Sequence, residues 1–212
     1  MSIFGMIILS AVPLLIAVIL HETAHGLVAC ALGDDTAKRS GRFKPYSHFD
    51  FFGSFLIPLL LYASGSPFLI GYAKPVPVNA RNFKHPETDM ALVALGGPIC
   101  NVLLAFGGVF VLKNCEIHSP MFAQFIFNFI AVNFALFLFN IIPIPPLDGS
   151  RVLTALLPPR FAEKMYALEP FGFFILMGIE TVCSLLSGVF GCRIGILAML
   201  RSALKGFFEL FL

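Results

Sequence analysis

Apolar residues run from residue 3 to residue 20 with Ser10 as the one polar side chain, and the run resumes after a polar cluster at residues 21–25. A membrane span needs about 20 apolar residues, so the pattern predicts a helix over 3–31. Residues 32–50 are polar, with Gly, Pro and alternating character, and predict extended segments rather than helix. Residues 51–72 are apolar again, but Gly53, Pro58, Gly65 and Pro67 interrupt them. A second polar loop follows at 73–89. Apolar runs over 90–112 and 121–142 predict two more spans, and Pro143, Pro145 and Pro146 end the second of them. Residues 149–157 predict a short helix and 168–190 a fourth span. In the tail, 193–212, apolar residues are interrupted by Arg201, Lys205 and Glu209, which suits either a last span or an interfacial amphipathic helix. No repeat and no linker divides the chain, so 1–212 is read as a single membrane-embedded domain.

Composition agrees. The chain has 212 residues, of which 58% are hydrophobic and 12% charged, and its mean hydropathy is +0.90. Soluble domains carry about 25% charged residues. One water-facing core of this size cannot hide so much apolar surface, which makes lipid the expected solvent. The net charge of +2, with no basic stretch interleaved with aromatics, excludes a nucleic-acid partner. There are 25 Phe and no Trp, so interfacial anchoring falls to Tyr, Lys and Arg. The five cysteines, Cys30, Cys100, Cys115, Cys183 and Cys192, form no short-spaced pair and are read as small apolar residues, not as a disulfide framework. Leu27-Val28-Ala29-Cys30 resembles a lipoprotein cleavage site. No Lys or Arg precedes the apolar run, however, and the 21–25 cluster would fall inside the signal, so no cleavage is expected.

Charge orients the spans. Loop 32–50 carries Lys38, Arg39, Arg42 and Lys44; loop 73–89 carries Lys74, Arg81 and Lys84; the segment after 148 carries Arg151, Arg160 and Lys164. The 113–120 connection has only Lys113. Three cytoplasmic loops and one external loop are consistent only if 51–72 enters the membrane and returns on the same side. Such a re-entrant hairpin must be shielded by protein. Helix 3–31 then runs inward, 90–112 outward and 121–142 inward. The cluster at 21–25 and Asp148 come to the cytoplasmic side of a multi-pass cell (inner) membrane protein.

That cluster is His21-Glu22-Thr23-Ala24-His25. Two His four residues apart share a helix face and can both reach one zinc ion. Glu22, beside the first, can take a proton from a zinc-bound water. Three ionisable groups in a spanning helix are costly, at about 2.5–3.5 kcal/mol per central charge on insertion scales; a metal compensates for them. A bare wet helix end would leave the spacing unexplained. Catalytic zinc takes three protein ligands and keeps a position for water. Asp34, Asp35, His48, Asp50, His85, Asp89 and Asp148 are candidates for the third. Asp148 is favoured, because it ends an apolar helix after a Pro-rich turn on the same side as the His pair. The competing role for Asp148 is an N-cap of helix 149–157. Asn101 and Asn140 are amides on apolar helices. Asn101 reads as a helix–helix hydrogen bond, and Asn140 reads equally as that or as a group facing the site. Gly96-Gly97-Pro98 reads as close helix packing. A metal transporter would need several sites and a duplicated architecture, and neither is found. An intact Glu22 counts against a non-catalytic scaffold.

The chain resembles the site-2 protease family of intramembrane zinc metalloproteases. The matching segments are His21 to His25, Gly96-Gly97-Pro98-Ile99-Cys100-Asn101, and Asn140 through Pro143, Pro145, Leu147, Asp148 and Gly149. Residues 33–54 and 71–83 are similar to the compact bacterial branch. The resemblance implies cleavage of a transmembrane helix of another protein within the bilayer. It implies one zinc ion per chain held by His21, His25 and Asp148, Glu22 as general base, and Asn140 as a substrate-positioning residue. It also implies a core of three zinc-site helices plus additional helices, with a small membrane-associated β-sheet around segment 51–72 that presents substrate as an added strand. Neither the PDZ or CBS domain of many members nor the helix that often precedes the zinc-binding one is expected here. Oligomeric state is left open.

Overall fold

A computed structural model describes residues 3–42, 75–190 and 195–212. Among these residues lie α1 (Ile3–Ala31), α2 (Thr36–Arg39), α3 (Pro86–Asn114), α4 (Pro120–Asn140), α5 (Asp148–Leu156), α6 (Pro159–Leu168), α7 (Gly172–Phe190) and α8 (Ile196–Phe211). Four stretches are long and apolar enough to cross a membrane: Ile8–Ala31, Pro86–Asn114, Pro120–Asn140 and Pro159–Gly188. These stretches overlap the four expected spans, the fourth beginning at Pro159 rather than at 168.

Local chemistry sets those ends. Pro86 and Pro120 stand in the first turns of α3 and α4, where a missing N–H costs nothing. The Asp89 carboxylate accepts from His85 N at 3.0 Å, satisfying one orphan donor of the α3 start. Within α1, Pro13 cannot donate to Leu9 O, the acceptor four residues back. Asn128 Nδ2 of α4 donates to that carbonyl at 2.7 Å, so the defect is repaired across the helix pair, as a bilayer interior requires.

Helices α1, α3 and α4 pack on one another, and α3 also packs against α5. Close approach of α1 and α3 depends on Gly96, where a Cβ would lie 3.1 Å from Ala24 O. The tail helix α8 lays buried Phe207 against Ala105 and Val109 of α3 and Ile130 of α4. Its 16 residues reach about 24 Å at 1.5 Å per residue, short of a full span. Helix α7 is bordered by outward apolar side chains such as Phe173, Phe174 and Leu185, as a lipid-facing helix would be. Cys30, Cys100, Cys115 and Cys183 are free thiols.

Three expectations change. The polar segment after α1 contains one helical turn, α2, where extended chain was expected; Asp34 Oδ1 accepts from Thr36 N at 3.1 Å and so starts the turn. Helix α6 was not anticipated, because Arg160, Glu163 and Lys164 dilute its apolar face, of which Ala162 is buried. Among the described residues there is no strand. Residues 75–79 have no regular structure, and two of their N–H groups are taken by side chains: Val76 N donates to Glu22 Oε2 and Asn79 N to Asp34 Oδ2. The expected β-sheet is therefore absent there. Its remaining part and the re-entrant segment 51–72 lie outside the described residues.

Candidate metal centre

The site is built on the antiparallel contact of α1 and α3. His21 and His25 stand one turn apart on α1, both buried at 7% and 8% exposure, with rings 4.6 Å apart and perpendicular. Opposite them, α3 offers one face at four-residue intervals through positions 93, 97 and 101. His25 Nδ1 lies 2.7 Å from Val93 O, and His21 Nδ1 lies 2.6 Å from Asn101 Oδ1. Between these, Gly97 leaves the space that the His21 ring fills: a Cβ there would lie 2.6 Å from both ring nitrogens.

Each Nδ1 faces an oxygen that can only accept, so each carries its proton there. Both Nε2 atoms then turn toward a common point. They are 3.1 Å apart. Asp148 Oδ2 completes the triangle, at 3.1 Å from His21 Nε2 and 3.4 Å from His25 Nε2. These three residues are the group among the described residues whose donor atoms converge as metal ligands would.

Asp148 reaches this place because α4 ends at Asn140 and the Pro-rich turn carries the chain back to α5. It occupies the first turn of α5, with Leu147 at the N-cap, so its side chain does not serve as the cap. The helix terminus favours its negative charge. Gly149 is required next to it, since a Cβ there would lie 2.6 Å from Ile142 O. Burial alone would raise the Asp148 carboxyl, but the two imidazoles outweigh it and hold the group at about 2. It is an anion at neutral pH.

Three electron-rich atoms this close demand a shared positive charge. Asp148 Oδ2 is buried and accepts no hydrogen bond of acceptable geometry, so a proton on one imidazole answers the demand poorly. Ligand bonds of about 2.0–2.1 Å at tetrahedral angles place ligand atoms about 3.3 Å apart, which matches the observed triangle. The residues therefore fit a zinc ion.

Glu22 lies beside this triangle. Its Oε2 accepts from Val76 N at 3.1 Å, and Val76 itself rests on Gly26, where a Cβ would come within 3.3 Å. Val76 thus fixes the direction of the Glu22 carboxylate.

None of the other described candidates joins this triangle. Asp34 is fully buried and accepts from Thr36, Asn79 N and Asn82 Nδ2, joining the end of α1 to the 79–82 turn. Asp89 serves the start of α3. His48 and Asp50 lie outside the described residues. Asn140 Nδ2 donates to Leu136 O of its own helix at 3.1 Å, and no hydrogen bond joins it to the His pair. Asn101, read from sequence as a helix–helix hydrogen bond, makes such bonds to Ala17 O and Asn133 Oδ1 and also holds a His of the site. Gly97, read as packing, makes room for that His. The spacing of four between positions 93, 97 and 101 was the signal for both.

A sequence profile described as Peptidase family M50 matches residues 106–179. The chain is 39% identical over 176 residues to "Putative zinc metalloprotease YwhC" of Bacillus subtilis (strain 168), an alignment covering 78% of this chain and 77% of that protein. No solved structure matches.

Proposed function

Because the chain belongs to peptidase family M50 and is a metallopeptidase of a multi-pass membrane type, we propose that it cleaves transmembrane segments of other membrane proteins within the bilayer, using one zinc ion. The observation that carries this reading is the convergence of His21 Nε2 and His25 Nε2, on a helix apolar enough to span, with Asp148 Oδ2 of the short α5. Residues 1–212 act as one membrane-embedded protease domain.

In this reading His21, His25 and Asp148 hold the metal. Bound there, zinc would supply a Lewis acid that polarises the scissile carbonyl and makes water easier to deprotonate. Glu22 takes a proton from the attacking water and later delivers it to the leaving amine nitrogen, as the carbon–nitrogen bond breaks. Its hydrogen bond from Val76 N uses one of about four acceptor positions on the carboxylate, which leaves others for water. The substrate helix must unwind locally, because helical carbonyls are tied up in the backbone ladder. Asn140, at the end of α4 eight residues before Asp148, offers an amide to the exposed substrate backbone. The basic loops support a site near the cytoplasmic face, from which water would enter.

The test compares membrane proteomes of cells producing the wild-type chain and Glu22→Gln. Fragments cut inside single-span segments should appear only with wild type, while both proteins retain zinc after purification. Equal fragments from both would refute the assigned role of Glu22 and the mechanism with it.

A further inference from the structure

Hydrolysis as described makes no use of Asn101 or Asn133, yet both are wholly buried, at 0% exposure, in the helices around the site. They form one chain of hydrogen bonds. Asn133 Nδ2 donates to Phe129 O at 2.8 Å. Asn101 Nδ2 donates to Asn133 Oδ1 at 2.9 Å and to Ala17 O at 3.3 Å. Asn101 Oδ1 faces His21 Nδ1 at 2.6 Å.

The direction of this chain is forced. Phe129 O and Ala17 O are backbone carbonyls and can only accept. Phe129 O draws the amide nitrogen of Asn133 toward itself, which turns Asn133 Oδ1 toward Asn101. Asn101 must then present its nitrogen to Asn133 and Ala17. A flipped Asn101 would set its oxygen against two acceptors in a buried place, where each unmade bond costs about 1–3 kcal/mol. With that nitrogen committed, Asn101 Oδ1 is what His21 meets. His21 Nδ1 must carry the proton, and the lone pair is left on Nε2, the atom that points at His25 and Asp148.

We propose that Asn101, oriented by Asn133, is a positioning residue that sets the tautomer and ring direction of His21 so that Nε2 is presented to the metal. The amide carbonyl does here what a carboxylate or backbone carbonyl does behind a metal-bound His elsewhere. His25 has the backbone version of the same support, from Val93 O. His21, whose ring fills the space left by the missing side chain of Gly97, takes its acceptor from the side chain four residues further along α3. The inference rests on the metal site proposed above.

Zinc affinity, measured by competition with a chelator on the full chain in detergent, and thermal stability of the zinc-free protein separate this role from packing. Asn101→Leu keeps the volume and removes the acceptor, and should weaken zinc roughly 10- to 100-fold. Asn101→Asp still accepts from Nδ1–H but gives Ala17 O and Asn133 Oδ1 no donor. It should lower thermal stability yet bind zinc within about threefold of wild type or tighter. A merely structural Asn101 would make affinity and stability fall together in both variants. Cobalt in place of zinc adds a spectroscopic readout: Asn101→Asp should keep the wild-type tetrahedral absorption envelope, and Asn101→Leu should lose it. Wild-type zinc affinity in Asn101→Leu would overturn the proposal. If that variant does not fold, a Leu-sized loss expected for it but found in Asn101→Asp overturns it equally. Failure of the wild-type chain to bind zinc would instead overturn the metal site itself.

Discussion

Gly97 is the position where one added methyl group should act on the metal site through the His21 ring. In Gly97→Ala the new Cβ would lie 2.6 Å from His21 Nδ1 and Nε2, against a comfortable carbon contact of about 3.5 Å. The ring or the α3 backbone must therefore give way by about 1 Å. The backbone has little freedom to do so, because Gly96, its neighbour, is already in tight contact with Ala24 O. The His21 ring moves instead. A zinc–nitrogen bond is about 2.0–2.1 Å long, so a shift of that size removes His21 as a ligand or strains the whole triangle. Overpacking costs about 1–3 kcal/mol. The zinc-free protein escapes most of it by swinging the ring aside, so the cost falls on metal binding. That corresponds to roughly 5- to 150-fold weaker zinc, at 1.4 kcal/mol per factor of ten. The assay is chelator competition on the purified protein, with a thermal melt of the zinc-free form in parallel. Gly107→Ala is the control: it lies on the same helix with nothing within 4 Å of the new Cβ, and it should be neutral or stabilise by up to about 1 kcal/mol. If Gly97→Ala binds zinc as tightly as Gly107→Ala, the account of the His21 cradle is wrong.

Asp148→Asn should bind zinc more than about 100-fold less tightly, beyond the usual cost of losing an outer partner. Its helix content by circular dichroism should not change, because Asp148 does not cap α5; retained zinc would remove it from the ligand set. Asp34 is held below its ordinary value of 3.8: burial pushes it up, but hydrogen bonds from Thr36, Asn79 and Asn82 prevail. A depressed carboxyl stabilises the fold above the unfolded value and loses that contribution as pH falls through the folded one. Melting temperature should therefore drop below about pH 4, and Asp34→Asn should flatten the drop; an identical profile would show that the clamp contributes nothing. Asn128→Leu leaves Leu9 O unpaired above Pro13 and should cost about 1–3 kcal/mol of stability. Zinc affinity should stay as in wild type, and a parallel loss of zinc would show that α1 shifts as a whole.

The apolar runs and the His21-Glu22-Thr23-Ala24-His25 spacing determined the spans, the pairing of two ligands on one face, and the placement of Glu22 beside them. Those features are local: hydropathy acts over a window of about 20 residues, and ligands four apart meet on any helix. The charge pattern and the Pro-rich turn brought Asp148 into consideration, and the resemblance named it as a ligand; the packing of α3 against α1 and α5 put Oδ2 within 3.1 Å of His21 Nε2. The sequence left Asn101 and Gly97 looking like ordinary helix contacts. Only the tertiary structure assigned them, because the partner of a buried amide depends on the register between helices. That register comes from the summed fit of many small contacts, such as Gly96 against Ala24, and no single residue type encodes it. The same holds for residues 75–79. The N–H groups of Val76 and Asn79 went to Glu22 and Asp34, because α1 and its following turn offered carboxylates at the right distance.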